Sequence, residues 1–266
     1  MIRRVVFNQK GGVGKTTIVC NLAAIAASRG LRTLVIDLDT QGNATQYLLG
    51  DARNIASADR TIADFFDSTL GFSLQSPPFV TFATNTPIDN LDIVVSDPRL
   101  EELQVKLEAK QKVHKLKQAL DKLKDYDAVF IDTPPSLNFY SRSALIAAER
   151  CLIPFDCDEF SRQALYTLIE NINEIRADHN EDLEIEGIVV NQFQARARQP
   201  VRIVEELKAE GQPILDPALS SSVRVKESHE LRTPMILLDP GHRVTKEYLG
   251  LYDRLAFGKD HVPEPA

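Results

Sequence analysis

Residues 8–17, which read Asn-Gln-Lys-Gly-Gly-Val-Gly-Lys-Thr-Thr, constrain the fold of this chain more than any other segment. A short run of β-branched and aromatic residues (4–7) precedes the glycines, and an apolar-rich helical stretch (16–29) follows them. Strand, glycine-rich loop and helix in this order are typical of a phosphate-binding loop, in which backbone N–H groups and a helix N-terminus surround an anion. The common pattern has its first glycine at the position of Gln9, so this loop is a variant.

The loop side chains predict how a nucleoside triphosphate binds. We expect Lys15 to contact the β- and γ-phosphates, Thr16 to ligate Mg²⁺ and Thr17 to donate a hydrogen bond to the α-phosphate. Lys10 lies on the outer lip of the loop, where it can reach toward phosphates in a facing subunit. The predicted phosphate-binding residues are therefore Gly11, Gly12, Val13, Gly14, Lys15, Thr16 and Thr17.

Polar residues also end three later apolar runs. Asp37 and Asp39 follow the run 34–36 at alternate positions, so they share one face of a strand end. Asp132 ends the run 128–131, as expected of an acid that holds the water shell of a metal ion. Asn191 follows the run 188–190, and its amide can pair with a purine edge. Capping or turn roles are the alternatives for Asp39 and Asn191.

The spacing of apolar runs predicts the fold class. Six such runs (5–7, 34–36, 91–95, 128–131, 152–153 and 188–190) are mostly separated by helical or polar segments. This pattern predicts an α/β fold, a doubly wound and mostly parallel sheet with helices on both faces. We expect residues 50–90 to be mostly irregular, with a short amphipathic piece at 62–66. Residues 100–123 form a helical stripe interrupted near Lys110 and His114. This stripe packs against the sheet, or its lysine-rich outer face docks a partner.

Composition limits the class of protein further. The 266 residues, 43% hydrophobic and 26% charged, suit one domain over 1–257, with a disordered tail at 258–266. Three cysteines without close pairing favour a reducing compartment, and no segment suggests a signal peptide or a membrane span, so we expect a cytoplasmic protein. The net charge of −7 counts mildly against DNA binding, yet residues 196–232 hold seven basic residues against six acidic ones.

The segment from Lys10 to Thr16 resembles the deviant Walker A motif of the ParA/MinD family of dimeric ATPases. This resemblance implies ATP and Mg²⁺ as cofactors, a homodimer in the ATP state, and a Lys10 that reaches the partner's nucleotide. Residues 37–43 are similar to the family's second motif, with Thr40 in place of its proline, and residues 132–135 match a third. The implied catalytic residues are Lys10, Lys15 and Asp39, which polarises the attacking water; the implied metal-site residues are Thr16, Asp37 and Asp132.

A closer resemblance to ParA-type partition ATPases implies a biological role. Those proteins bind double-stranded DNA nonspecifically, and the matching residues here are Arg196 and Arg224, with Arg198 and Lys226 as neighbours. The implied protein is nucleoid-associated and is stimulated by a ParB-like activator or cargo adaptor. Residues 235–240 match the family's C-terminal strand and turn.

Three other functions are less consistent with the sequence. A MinD-like membrane-cycling regulator is disfavoured because the C-terminus lacks a lysine-rich amphipathic helix, so no membrane partner is expected. An electron donor like the nitrogenase iron protein is disfavoured because Cys151 and Cys157 do not stand at cluster positions. A nonhydrolysing adaptor is disfavoured by the presence of Asp39 and Asp132.

Overall fold

A computed structural model describes residues 1–50, 58–71, 77–157 and 161–255 of the chain. The tail expected to be disordered, 258–266, and the last residues of the expected domain lie outside these ranges. The strands of the described part are β1 (Ile2–Val6), β2 (Thr33–Asp37), β3 (Ala83–Asn85), β4 (Leu91–Val94), β5 (Ala128–Asp132), β6 (Arg150–Asp156), β7 (Glu184–Asn191) and β8 (Ile214–Leu215).

These strands form one sheet in the order β3-β4-β2-β5-β1-β6-β7-β8. All pairings are parallel except that of β3 with β4. The central strands are buried on both faces, which explains why their sequences are continuous apolar runs. The predicted doubly wound, mostly parallel sheet is thus confirmed.

Helices cover both faces of the sheet. They are α1 (Lys15–Ser28), α2 (Asn43–Leu49), α3 (Ile62–Ser68), α4 (Leu100–Ala109), α5 (Lys115–Leu120), α6 (Phe139–Ala147), α7 (Ser161–His179), α8 (Arg198–Ala209), α9 (Val223–Glu230), α10 (Met235–Leu238) and α11 (Arg243–Tyr252). Apolar residues of α1, α2 and α11 pack into one core layer, and those of α3 to α8 pack into a second. Each layer removes one sheet face from water, which is the main stabilising term of such a fold.

The strand register brings the predicted site residues to one edge. Asp37 at the end of β2 is the direct partner of Asp132 at the end of β5, and Val6 at the end of β1 pairs with the same Asp132. The glycine-rich loop leaves β1 just beyond this point. The fold therefore places loop and acids together at the carboxyl edge of the sheet, where open α/β sheets bind ligands.

Two segments differ from the sequence-based expectation. Residues 235–240 were expected to form a strand and turn, but Met235–Leu238 is a short helix that follows Pro234, and the Met235 side chain is buried. The backbone N–H of Met235 donates to Asn21 Oδ1 at 2.8 Å, so α1 supplies the partner that a sheet neighbour would otherwise supply. In the region 50–90, the structure adds a 3₁₀ turn (Phe79–Phe82) and β3 to the expected amphipathic piece, while residues 51–57 and 72–76 lie outside the described residues.

Other local predictions agree with the structure. The amphipathic piece at 62–66 lies in α3, whose first turn is stabilised by a capping box between Thr61 and Asp64. The helical stripe at 100–123 divides into α4 and α5, because the chain turns between Ala109 and Lys115 with Gln111 at a φ of 52°.

Candidate nucleotide-binding site

The glycine-rich loop is supported from behind by the end of β7. Gly12 and Gly14 adopt φ angles of 75° and 90°, which residues with a Cβ rarely adopt. The amide Nδ2 of Asn191 donates to the carbonyl oxygen of Val13 at 2.8 Å, and Gln192 Nε2 donates to that of Gly12 at 2.9 Å. The sequence predicts the loop itself but not this support from residues almost 180 positions away.

A cavity of about 490 Å³ opens in front of the loop, a volume typical of small-molecule sites. The Lys15 side chain is buried at its edge, and its Nζ donates to the carbonyl oxygen of Lys10 at 3.1 Å. Burial lowers the pKa of Lys15, while Asp132 and Asp39 oppose that shift. The cavity is lined by Gly11, Gly12, Gly14, Lys15, Thr16, Thr17, Asp39, Gln41, Asn43, Gln46, Tyr47, Pro135, His229 and Arg232.

Thr16 and Asp132 form the part of the site that suits a hard cation. Thr16 Oγ1 donates to Asp132 Oδ2 at 2.7 Å, so the two predicted metal-site residues are in direct contact. Burial raises the pKa of Asp132, and neighbouring Asp37 raises it further, while the Thr16 hydrogen bond lowers it. A hydroxyl and a carboxylate are the oxygen donors that Mg²⁺ prefers, and a cation beside Asp132 favours its charged form.

Asp37 is held by the start of α2. Its Oδ2 accepts hydrogen bonds from the backbone N of Thr45 at 2.8 Å and from Thr45 Oγ1 at 2.7 Å. Its Oδ1 accepts from the backbone N of Asp39 at 3.2 Å. Asp37 therefore orients the turn that carries Asp39, and its role in organising Mg²⁺ stays a prediction.

Asp39 lines the same cavity as the loop. Its Oδ1 accepts from the backbone N of Gln41 at 3.1 Å, and its carbonyl oxygen accepts from Ser96 Oγ at 2.5 Å. The side chain is anchored at one oxygen and faces the phosphate cavity. This position is compatible with the predicted role beside an attacking water.

The Lys10 side chain forms an ion pair next to the loop. Its exposed side chain places Nζ at 2.7 Å from Asp156 Oδ2 at the end of β6. The two lysines of the loop thus differ in position: Lys15 lines the cavity, whereas Lys10 does not. The reach of Lys10 into a partner's site stays a prediction.

A second cavity, of about 190 Å³, adjoins the first on the side of Asn191. The two cavities share Gly12, Gly14, Thr17 and His229 in their walls. Asn191 lines this second cavity while its amide nitrogen is bonded to the loop, so its contact with a purine stays a prediction. The remaining lining comes from Gln192, Ser220, Ser221, Ser222, Val225, Lys226, Val244 and Tyr248.

His229 and Tyr47 belong to the site although the sequence did not indicate them. His229 Nε2 lies 2.8 Å from Thr17 Oγ1, and the imidazole stacks on the Tyr47 ring with centroids 4.4 Å apart and planes 12° apart. Desolvation lowers the pKa of the His229 ring. Because these residues are distant in sequence and belong to no phosphate motif, no local pattern could have identified them.

The predicted DNA-binding residues lie in two segments, one after β7 and one that includes Lys226 in the wall of the second cavity. An isolated bridge between Phe193 and Ser220 brings the loop after β7 next to the segment that precedes α9. Arg196, Arg198 and Lys226 are exposed. Arg224 is half-buried, with ion pairs of 2.7 Å to Glu227 and 3.4 Å to Asp239. Among the residues described, no helix is both long and apolar enough to cross a membrane.

Comparison with known proteins identifies a matching family and similar sequences. The model of the family described as AAA domain matches residues 3–185. The sporulation initiation inhibitor protein Soj of Bacillus subtilis is 31% identical over 252 residues, covering 94% of this chain and 96% of Soj. The chromosome partitioning protein ParA of Caulobacter vibrioides is 31% identical over 249 residues, covering 92% of this chain and 90% of ParA.

Solved structures show the same fold. Apo McdA of Cyanothece superposes with a TM-score of 0.82 at 21% identity, covering 96% of this chain and all (100%) of that chain. The cobyrinic acid a,c-diamide synthase of Mycobacterium smegmatis, solved with ADP and magnesium, gives a TM-score of 0.74 at 25% identity, covering 87% of this chain and 92% of that one.

Proposed function

The chain belongs to the AAA-domain family that includes the partition proteins Soj and ParA, and from this premise we propose that it is an ATP-dependent switch for DNA segregation. Two copies dimerise around ATP and Mg²⁺, the dimer binds double-stranded DNA nonspecifically, and hydrolysis stimulated by a ParB-like partner separates the subunits. The observation that carries the proposal is the convergence of Lys15, Asp39 and the Thr16–Asp132 pair on one phosphate-sized cavity.

In phosphoryl transfer, some of these residues position the reacting groups and others stabilise charge. Lys15 lies at the loop where it neutralises the β- and γ-phosphates, and loop N–H groups bind their oxygens. Asp39, held by its Gln41 contact, orients the attacking water from the cavity wall. Thr16 and Asp132 would hold Mg²⁺, which would supply positive charge next to the phosphates. Lys10 of a facing subunit adds charge from outside, which makes each site complete only in the dimer.

The DNA-binding step uses the surface next to the second cavity. Arg196, Arg198 and Lys226 are exposed cations in a chain whose net charge is −7, so they provide a local region where DNA phosphates can be neutralised. Arg224 belongs to the same surface when its ion pairs with Glu227 and Asp239 exchange for phosphate. The bridge between Phe193 and Ser220 joins the two halves of this surface.

The proposal is tested by separating hydrolysis from dimerisation. Asp39→Ala should lower the ATPase rate by about 10²-fold or more, the usual effect of removing a group that handles the reacting proton. With ATP and Mg²⁺, the Asp39→Ala variant should elute as a stable dimer in size-exclusion chromatography with light scattering. Adding Lys10→Ala to Asp39→Ala is the matched control, and this double variant should remain monomeric. A monomeric Asp39→Ala protein at saturating ATP would contradict the switch.

A further inference from the structure

His229 stands at the junction of the two cavities. Its Nε2 lies 2.8 Å from Thr17 Oγ1, and its ring stacks on Tyr47 with centroids 4.4 Å apart. The ring is therefore held at one nitrogen by the phosphate-loop helix α1 and on one face by α2. Through His229, helix α9 contacts the Thr17 hydroxyl, which is predicted to bind the α-phosphate.

The Thr17 hydroxyl connects this contact to the nucleotide. A hydroxyl has one proton to donate and can also accept. When Thr17 donates to a phosphate oxygen, its bond with His229 persists only with the Nε2–H of the ring as donor. A neutral imidazole can carry its proton on either nitrogen, so occupation of the site selects one hydrogen-bond direction at His229 and fixes the ring.

Ser228, the residue before His229, forms further hydrogen bonds at the same end of α9. Ser228 is fully buried, and its Oγ lies 2.8 Å from the hydroxyl of Tyr47 and donates to the carbonyl oxygen of Val225 at 2.7 Å. Tyr47 thus contacts two successive residues of α9 through its ring and its hydroxyl. Because α9 has only eight residues, fixing its C-terminal end restrains the turn that carries Arg224 and Lys226.

We propose that His229 is a positioning residue that couples nucleotide at Thr17 to helix α9, so that occupation of the phosphate cavity orders the surface carrying Arg224 and Lys226. The coupling itself requires only nucleotide binding. Its consequence for DNA rests on the proposed function.

The coupling is tested by hydrogen–deuterium exchange of the full chain with and without saturating AMPPNP and Mg²⁺. In the unsubstituted protein, nucleotide should slow exchange of the amides in 223–230 by about fivefold or more, within the range of ordinary allosteric couplings. His229→Ala, compared at an AMPPNP concentration that titration shows to saturate it, should lose this difference. His229→Gln, which retains a side-chain amide able to reach Thr17, should restore part of it.

The matched control is Glu230→Ala, which changes the next, exposed residue of the same helix. It should keep the full nucleotide-dependent protection. An unchanged difference in His229→Ala would overturn the proposal, and so would an equal loss in Glu230→Ala, because that loss would reflect loosening of the helix and not the contact with Thr17.

A DNA measurement separates this inference from the proposed function. The ratio of DNA affinities with and without AMPPNP should fall by about fivefold or more in His229→Ala, in line with typical coupling factors. If His229 had only a structural role, His229→Ala would lower both DNA affinities and leave their ratio unchanged. That result would overturn the proposed effect of His229 on DNA binding. If the unsubstituted protein shows no nucleotide-dependent DNA binding, the proposed function fails, and the exchange experiment still decides the role of His229.

Discussion

The phosphate loop (8–17) and the segment 220–239 line the same two cavities, but they are specified in different ways. The loop conformation follows from its own residues, because Gly12 and Gly14 permit the left-handed backbone that wraps an anion. The later segment acquires its position through contacts such as Thr17 with His229 and Asn21 with Met235, which join residues more than 200 positions apart. Local chemistry thus identifies the phosphate site, whereas tertiary contacts decide what surrounds it.

The largest effect should come from the loop itself. Lys15→Ala removes the buried ammonium that lines the cavity and is predicted to contact the phosphates. We expect ATP affinity to fall by about 100-fold, since hydrogen bonds to charged groups contribute roughly 1.5–3 kcal/mol. Isothermal titration calorimetry with ATP and Mg²⁺ measures this loss. Lys10→Ala, with its side chain outside the cavity, should retain monomer affinity within about threefold. Equal affinity in Lys15→Ala and the unsubstituted protein would refute the loop assignment.

The comparison also explains which parts of the fold were predictable. The six apolar runs all lie on strands or their ends, because a strand buried on both faces must be apolar throughout. The meeting of Asp37 with Asp132 followed from parallel strands that end at one edge. The two-residue strand β8 and the edge strand β3 were missed, since neither is long enough to form a distinctive pattern.

The errors and omissions in the later third share a physical cause. The run 235–238 is apolar enough for a strand, but the Asn21 side chain accepts the Met235 N–H and Pro234 begins a helical turn. The contact of the Asn191 amide with a purine stays a prediction, but the bond of its nitrogen to the loop at Val13 was not foreseen. In both cases the deciding partner is distant in sequence, so propensity and spacing carry no information about it.

A substitution at Gly14 tests how closely the phosphate loop packs against the end of β7. A Cβ at Gly14 would lie 2.2 Å from Asn191 Nδ2, in addition to the strain of a φ of 90°. Gly12 has a φ of 75° but nothing within 4 Å of the added carbon. We expect Gly12→Ala to lower the free energy of unfolding by about 1 kcal/mol from backbone strain, and Gly14→Ala by about 2–4 kcal/mol from strain and overpacking.

Urea denaturation of both variants measures this difference. Asn191→Ala removes the obstructing amide, so the penalty of Gly14→Ala should be smaller in the Asn191→Ala background than in the unsubstituted one. The Gly12→Ala penalty should be similar in both backgrounds. If the two glycine variants lose equal stability, the loop is not packed against β7 as the contacts indicate.

The smallest effects should come from the DNA surface, where the structure distinguishes two arginines that the sequence treated alike. Arg196 is exposed and forms no ion pair with any described acidic residue, whereas Arg224 is paired with Glu227 and Asp239.

Arg196→Ala should weaken DNA binding of the Asp39→Ala dimer by a few-fold and reduce the slope of log affinity against log salt by about 1. Arg224→Ala should change the slope by less, because two carboxylates already neutralise that cation. Fluorescence anisotropy with duplex DNA at several salt concentrations gives both slopes. A larger change for Arg224→Ala would mean that its ion pairs open on DNA and that α9, not the loop after β7, dominates the DNA contact.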